Sequence, residues 1–252
     1  MKISVCFKTY PDYGKISGDK WSGNEIPDLS MLPQLIGYYD EGALETALNL
    51  KDELEKNGQS AELEAVTVGK ADETSVSQLY KLGFANIVEI NADENVENYS
   101  LTKCAKILAK YYLDNTPDII LFGKMAEPFE TGALHYYLAK ELDISVISNI
   151  THFTTNLKGE MIINAQSKKK IEKYEYKRLF VGIVENAKYP YLRKIVEDTD
   201  NTVKEASKCT IKVDSQDIDS DVYFFESIST GETNCKIIGF NADQLINSIK
   251  EA

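Results

Sequence analysis

The sequence predicts an α/β protein built on a parallel β-sheet with helices on both faces. Two observations lead to this prediction. Short apolar runs alternate with amphipathic segments through the first 150 residues, and most residues of these runs are apolar, as is typical of strands buried on both faces. Parallel strands need crossover connections, which the intervening amphipathic segments provide. In such sheets ligands bind beyond the carboxyl ends of the strands, so we look for a site there.

Five strands and the helices between them follow in order. The apolar runs at residues 2–7, 61–68, 86–90, 118–122 and 144–150 predict the strands. The first helix, over residues 41–57, is expected to be capped by Asp40, with an apolar face that includes Ala43 and Leu44. Further helices are expected at 71–83, which Gly83 closes, at 101–113 after Ser100, and from Leu134 onward. This arrangement is a Rossmann-like sheet.

The pattern changes after residue 150. Segments 151–166 and 170–186 are strand-like, and a Lys158-Gly159 turn interrupts the first, so we expect antiparallel additions to the sheet. From residue 197 the chain is polar and contains only short apolar runs. We therefore predict an α/β domain over 1–196 and an extended C-terminal arm over 197–252. The sequence leaves open whether this arm packs back on the sheet or on a partner.

Charge and composition argue against several classes of function. The net charge of −12 is unfavourable for binding nucleic-acid phosphates, and the basic cluster at 168–178 is interrupted by two glutamates. Four dispersed cysteines and two histidines do not form a zinc motif. The sequence has no apolar run of membrane-spanning length and no signal-peptide pattern at its start, so we expect a cytoplasmic protein.

The segment "GKMAEPFETGAL" at 123–134 follows the fourth strand and precedes a helix, as phosphate-binding turns often do. It lacks both the GxxxxGK[ST] loop and the GxGxxG fingerprint, and Glu127 and Glu130 would repel a phosphate if they faced it. From the residues alone, a nucleotide site and a simple connection remain equally open. We interpret Cys6 and His135 as packing residues, since neither belongs to a catalytic arrangement.

Several blocks taken together resemble the beta subunit of electron transfer flavoproteins over nearly the whole length. They are "MKISVCFKTYPDYGK", "YYDEGALETALNLKDE", "VTVGKADETSVSQLYKLGFANIVEI", "DNTPDIILFGKMAEPFETGAL" and "ENAKYPYLRKIV". Each block is moderately specific, and their order and spacing are much more so. The chain departs from the family pattern at Met125, Pro128, Glu130 and Ala133, which indicates a divergent member.

The resemblance implies an electron carrier subunit and not an enzyme, although it could belong to an electron-bifurcating complex. Its partners would be an electron transfer flavoprotein alpha subunit, which holds most of a shared FAD, and a flavin-dependent dehydrogenase. The C-terminal arm over 197–252 would pack on that alpha subunit. The family's beta subunit holds AMP or a second FAD. The positions that match this nucleotide site are Cys6, Gly37, Tyr38, Tyr39, Asp40, Val68, Gly123, Lys124, Met125, Ala126, Glu130, Thr131, Gly132, Ala133 and Leu134.

Two further regions follow from the same resemblance. Tyr13 matches a position near the flavin of the alpha subunit, and Leu192 matches the leucine of a loop that docks on the dehydrogenase, flanked by Tyr189 and Tyr191. The alternatives are a non-redox nucleotide-binding module of the same α/β superfamily and a structural subunit that has lost its nucleotide. An ATP pyrophosphatase would need an S-G-G-x-D-S loop after the first strand, where "KTYPDYGK" stands.

Overall fold

The computed structural model describes residues 1–16, 29, 31–92, 101–125, 132–168, 170–175, 178–195 and 204–211. All of them belong to one compact unit, Met1–Asp219. Its elements follow one another as β1 Lys2–Cys6, β2 Thr9–Pro11, β3 Gln34–Ile36, α1 Tyr38–Lys56, β4 Glu62–Val68, α2 Glu73–Leu82, β5 Asn86–Ala92, α3 Leu101–Asp114, β6 Ile119–Gly123, α4 Leu134–Glu141, β7 Ser145–Thr155, β8 Met161–Ser167, β9 Lys170–Glu175, β10 Phe180–Val184 and β11 Ser207–Ile211.

A nine-stranded sheet forms the centre of the fold, in the order β11-β5-β4-β1-β6-β10-β7-β8-β9. The seven strands from β11 to β7 are parallel, and β8 and β9 add antiparallel strands at one edge. Alternate residues of β6 enter two different apolar clusters, one with α1 and α2 and the other with α3 and α4. Helices therefore cover both faces, and the predicted fold class is confirmed.

Strand β10 corrects one part of the prediction. We expected residues 170–186 to add only antiparallel strands, yet β10 lies parallel between β6 and β7. All five of its residues are buried, as is typical of a central parallel strand. In contrast, β9 is exposed along its length and pairs antiparallel with β8, as expected.

The start of α1 corrects a second expectation. Gly37 is the N-cap, and Asp40 lies inside the first turn of the helix. The Asp40 carboxylate accepts a hydrogen bond from the backbone N–H of Lys8 at 3.0 Å. This contact ties the amino end of α1 to the loop that follows β1. The long connection between β1 and α1 contains a hairpin, in which β2 and β3 pair antiparallel.

Only part of the predicted C-terminal arm lies within the described residues. Within it, β11 pairs parallel with β5 at the outer edge of the sheet. The remainder of 197–252, like the predicted helix cap Ser100, lies outside the described residues. The division into a domain and a partner-binding arm therefore stays a prediction. Within the part of the chain that the structure describes, no helix is both long and apolar enough to cross a membrane.

Candidate functional site

A cavity of about 330 Å³ lies where the carboxyl ends of β1, β4 and β6 meet. These three strands are adjacent in the sheet, so the loops that follow them converge at one edge. Helices α1, α3 and α4 contribute the remaining walls. The lining residues are Cys6, Phe7, Lys8, Asp40, Val66, Thr67, Val68, Cys104, Leu108, Phe122, Gly123, Lys124, Met125, Gly132, Leu134 and His135.

Two glycines allow the backbone to approach closely at this cavity. A Cβ on Gly123 would lie 2.5 Å from the carbonyl carbon of Tyr39 and 2.7 Å from Oδ1 of Asp40, so the end of β6 and the start of α1 are in direct contact. Gly132 has a φ of +69°, and a Cβ there would lie 2.8 Å from the carbonyl oxygen of Lys124. Only glycine satisfies both the left-handed backbone and the close approach at position 132.

One wall of the cavity is charged. Asp40 is buried and accepts the backbone N–H of Lys8, as described above. Lys124 forms an ion pair with Glu185, and this hydrogen bond raises the pKa of the lysine. The ammonium group of Lys124 is partly exposed, so it can stay hydrated while it faces an anion at the cavity mouth.

Another part of the cavity lining is apolar except for one imidazole. Leu108 of α3, Phe122 of β6 and the neighbouring Leu134 belong to the same apolar cluster. The ring of His135 lies 6.0 Å from that of Phe122 and 4.5 Å from that of Tyr136. Burial lowers the pKa of His135 to about 4, so its ring is neutral near pH 7.

The amino end of α4 opens at the same cavity. The first hydrogen bonds of this helix are donated by the backbone N–H groups of Tyr136 and Tyr137 to the carbonyl of Ala133. The N–H groups of Leu134 and His135 therefore precede the hydrogen-bonded ladder, as at any helix start. Together with the helix dipole they favour an anion by about 0.3–1 kcal/mol.

Cys6 connects the floor of the cavity to a buried polar network. Its thiol lies 3.2 Å from the hydroxyl of Tyr112, which lies 2.9 Å from the hydroxyl of Ser4. Ser4 in turn donates to the buried carboxylate of Glu64, which also accepts from Tyr111. Burial raises the pKa of the Cys6 thiol, so this sulfur remains protonated and is a poor nucleophile.

Comparison with known proteins identifies the family. The model of the electron transfer flavoprotein domain matches residues 32–180, which is more than half of the chain. The chain belongs to the electron transfer flavoprotein family. The predicted family is therefore confirmed.

A curated relative gives a second comparison. The electron transfer flavoprotein subunit beta of Bacillus subtilis (strain 168) is 32% identical over 123 residues, which are 48% of this chain and 46% of that protein. The chain thus matches about half the length of this curated relative.

The structure brings about half of the predicted nucleotide-site residues together at the cavity. Gly37, Tyr38 and Tyr39 directly precede Asp40 at the start of α1, and Ala133 is the N-cap of α4. Ala126, Glu130 and Thr131, like Glu127 and Pro128, lie outside the described residues. The predicted residues that line the cavity are Cys6, Asp40, Val68, Gly123, Lys124, Met125, Gly132 and Leu134.

Tyr13 lies apart from this group. It begins a short 3-10 turn after β2, and its ring stacks on that of Tyr10 at 6.3 Å. It does not line the cavity. A position near the flavin of another subunit stays a prediction for this residue.

Sequence reasoning assigned no ligand role to half of the cavity wall. Four of these residues lie inside the predicted strands, near their carboxyl ends, and a fifth directly follows the first strand, so all five could have been found from the predicted strand ends. Cys104 and Leu108 come from α3, whose rotation about its own axis determines which side chains face the cavity. His135 was interpreted as a packing residue, yet it both packs on Phe122 and lines the cavity. The residues concerned are Phe7, Lys8, Val66, Thr67, Cys104, Leu108, Phe122 and His135.

The predicted docking segment is split between the surface and the core. Leu192 is 9% exposed and belongs to the apolar cluster of α1, whereas Tyr191 is 66% exposed and Tyr189 is also exposed. The backbone N–H of Leu192 donates to the carboxylate of Glu41. Leu192 therefore holds the segment on its own chain, and Tyr189 and Tyr191 are the side chains it presents to solvent.

Arg193 fixes the same segment from its other side. Its Nε lies 3.0 Å from Oε1 of Glu45, and its Nη1 lies 2.8 Å from Oδ2 of Asp52. Its backbone N–H also donates to Glu45 at 2.9 Å. Because Glu45 is buried, this guanidinium fork anchors the segment to α1.

Proposed function

We propose that this chain is the beta subunit of a heterodimeric electron transfer flavoprotein. It would shuttle electrons between a flavin dehydrogenase and an acceptor, through an FAD held mainly by the alpha subunit. Family membership and the beta-subunit relative in Bacillus subtilis support this role. The beta chain would supply an adenine-nucleotide pocket and a docking surface.

The cavity supports the proposal that the chain binds an adenine nucleotide. Its volume of about 330 Å³ lies within the range of small-molecule sites. The apolar side chains of Phe122, Leu108 and Leu134 suit a heteroaromatic ring. The ammonium group of Lys124, which is partly exposed, suits a phosphate. An adenine nucleotide, either AMP or the adenine half of an FAD, has both of these parts.

The side chains at the cavity favour a carrier over a catalyst. The Cys6 thiol is protonated, Asp40 already accepts a backbone hydrogen bond, and Lys124 is paired with Glu185. These groups can bind and orient a ligand, and the bound FAD of the complex would supply the redox chemistry. The three-residue clusters of acids, cysteines and histidines that could hold a metal ion do not occur among the described residues.

The exposed tyrosines support a docking role for the segment after β10. Tyr191 packs edge-on against Tyr38 at 5.7 Å, and Tyr38 packs edge-on against Tyr39 at 5.3 Å. This aromatic group joins the segment to the start of α1, where Asp40 reaches the cavity. Exposed aromatic side chains held by a rigid backbone are typical anchors of protein interfaces.

Co-expression with an electron transfer flavoprotein alpha subunit tests the proposed role. We expect the two chains to co-purify as a 1:1 complex that shows flavin absorbance and is reduced by a flavin dehydrogenase. Separate elution of the two chains, or a complex without flavin, would contradict the proposal. A flavin-containing complex that no dehydrogenase reduces would instead favour a structural subunit.

A further inference from the structure

We propose that His135 is the residue that recognises the base of the bound adenine nucleotide, through a hydrogen bond with its imidazole ring. This inference rests on the proposed function, since it assumes that the cavity takes an adenine nucleotide. His135 lies at the second position of α4 and lines the cavity, with only 4% of its surface exposed.

The hydrogen-bonding capacity of His135 is not used by the described part of the chain. Its ring contacts two aromatic rings, Phe122 and Tyr136, and none of the hydrogen bonds among the described residues involves its nitrogens. Among those residues, no polar side-chain atom is both sealed from solvent and without a partner. The nitrogens of this buried ring therefore keep contact with solvent, and the residue lines the cavity.

A neutral imidazole suits a base better than a phosphate. The desolvation that lowers the pKa of His135 also makes its surroundings costly for a dianion. A neutral ring carries one N–H donor and one acceptor nitrogen. The Watson–Crick and Hoogsteen edges of adenine likewise each present one amino donor beside one ring nitrogen acceptor. The two ring nitrogens of an imidazole point away from each other, so one of them can form a single hydrogen bond with either edge of the base.

The chemistry of the lining residues favours one orientation of the ligand. The ring of Phe122 lies 6.0 Å from that of His135, and Leu108 and Leu134 are further uncharged residues of the lining. Lys124, whose ammonium is partly solvated, suits the phosphate. A nucleotide oriented in this way leaves its charged group at the mouth and its ring inside.

Calorimetry with three probes tests this orientation. AMP contains base, ribose and phosphate, adenosine lacks the phosphate, and ribose 5-phosphate lacks the base. We expect His135→Leu to lower the affinity for AMP and for adenosine to the same extent, by about tenfold. This factor corresponds to the free energy that one such hydrogen bond usually contributes. Binding of ribose 5-phosphate should not change. His135→Gln, which restores a donor and an acceptor, should recover most of the loss.

His152 provides a matched control, because it is the other of the two histidines in the chain and does not line the cavity. His152→Gln should bind all three probes like the unaltered protein. Nuclear magnetic resonance of histidine Cε1–H groups gives a second measurement that requires no substitution. Addition of AMP should shift the His135 signal and leave that of His152 in place.

The outcomes separate the inference from the proposed function. Equal affinity of the unaltered protein and His135→Leu for AMP, or no shift of the His135 signal, would overturn the inference alone. Weaker ribose 5-phosphate binding with unchanged adenosine binding would also overturn it, since His135 would then contact the phosphate. If the unaltered protein binds neither AMP nor adenosine, the nucleotide site itself is refuted.

Discussion

Gly123→Ala probes the contact between β6 and α1 that shapes the cavity. The added Cβ would lie 2.5 Å from the carbonyl carbon of Tyr39 and 2.7 Å from its oxygen. Both are backbone atoms, so no side-chain rotation relieves the overlap. Normal carbon–carbon contact is about 1 Å longer, so the start of α1 must move away by about that distance.

The expected cost follows from overpacking and from the contacts that the shift breaks. Overpacking a well-packed site costs about 1–3 kcal/mol. A movement of about 1 Å would also separate the Asp40 carboxylate from the N–H of Lys8, which are 3.0 Å apart. For a protein of this size, such a loss lowers the melting temperature by about 2–12 °C. AMP affinity should fall at least tenfold, because Asp40 and Gly123 both line the cavity.

Thermal unfolding and calorimetry with AMP measure the two effects, and Gly182→Ala is the matched control. A Cβ at Gly182 would overlap the methyl groups of Leu121 and Ile150 at 2.7 and 2.8 Å, and this glycine of β10 does not line the cavity. We expect both variants to lose stability and only Gly123→Ala to lose AMP affinity. Unchanged AMP affinity in Gly123→Ala, with unchanged melting, would refute the proposed contact between β6 and α1.

Further predictions concern the docking segment and the buried histidine. Tyr191→Ala should slow flavin reduction by the dehydrogenase without changing stability. Leu192→Ala should lower the free energy of unfolding, measured in urea, by about 2–5 kcal/mol, because its side chain is buried. Arg193→Ala should lower the free energy of unfolding by about 2–3 kcal/mol in the same assay, because it leaves the buried Glu45 carboxylate without its cationic partner. This figure allows for the partial exposure of the arginine. Stability should fall as the pH drops from about 6.5 to about 4, because the unfolded chain takes up a proton that the folded His135 does not bind.

Each of these predictions has its own contradicting result. Normal reduction kinetics of Tyr191→Ala would exclude this side chain as the docking anchor. Arg193→Lys keeps the charge without the planar fork, so equal stability of the Lys and Ala variants would assign the effect to geometry rather than charge. His135→Gln should flatten the pH dependence between pH 4 and 6.5, and an unaltered slope would assign it to other groups.

The strands that build the cavity could be predicted from sequence because each is buried on both faces. Predominantly apolar runs predicted β1, β4 and β6, and Cys6, Val68 and Gly123, which the resemblance had named, lie at their carboxyl ends and line the cavity. Strand β10 is equally apolar, yet its parallel place between β6 and β7 depends on a long-range pairing. Local patterns cannot reveal which distant strands it joins.

The remaining site residues depend on the orientation of side chains. His135 lines the cavity because α4 turns the second residue of its first turn inward, and eight residues are too few for a clear helical period. For the predicted docking segment, the resemblance named Leu192 as the anchor between Tyr189 and Tyr191. The hydrogen bond from Leu192 to Glu41 and the fork from Arg193 to Glu45 then turn the leucine inward and leave Tyr191 outside.

Chromatography of the nucleotides released from the denatured complex tests the central claim most directly. The complex of this chain with its alpha subunit should release one FAD and one AMP per heterodimer. Two FAD would still place a nucleotide in the cavity, and they would indicate an electron-bifurcating complex. A single FAD with no second nucleotide would contradict the claim that the cavity beyond β1, β4 and β6 binds an adenine nucleotide.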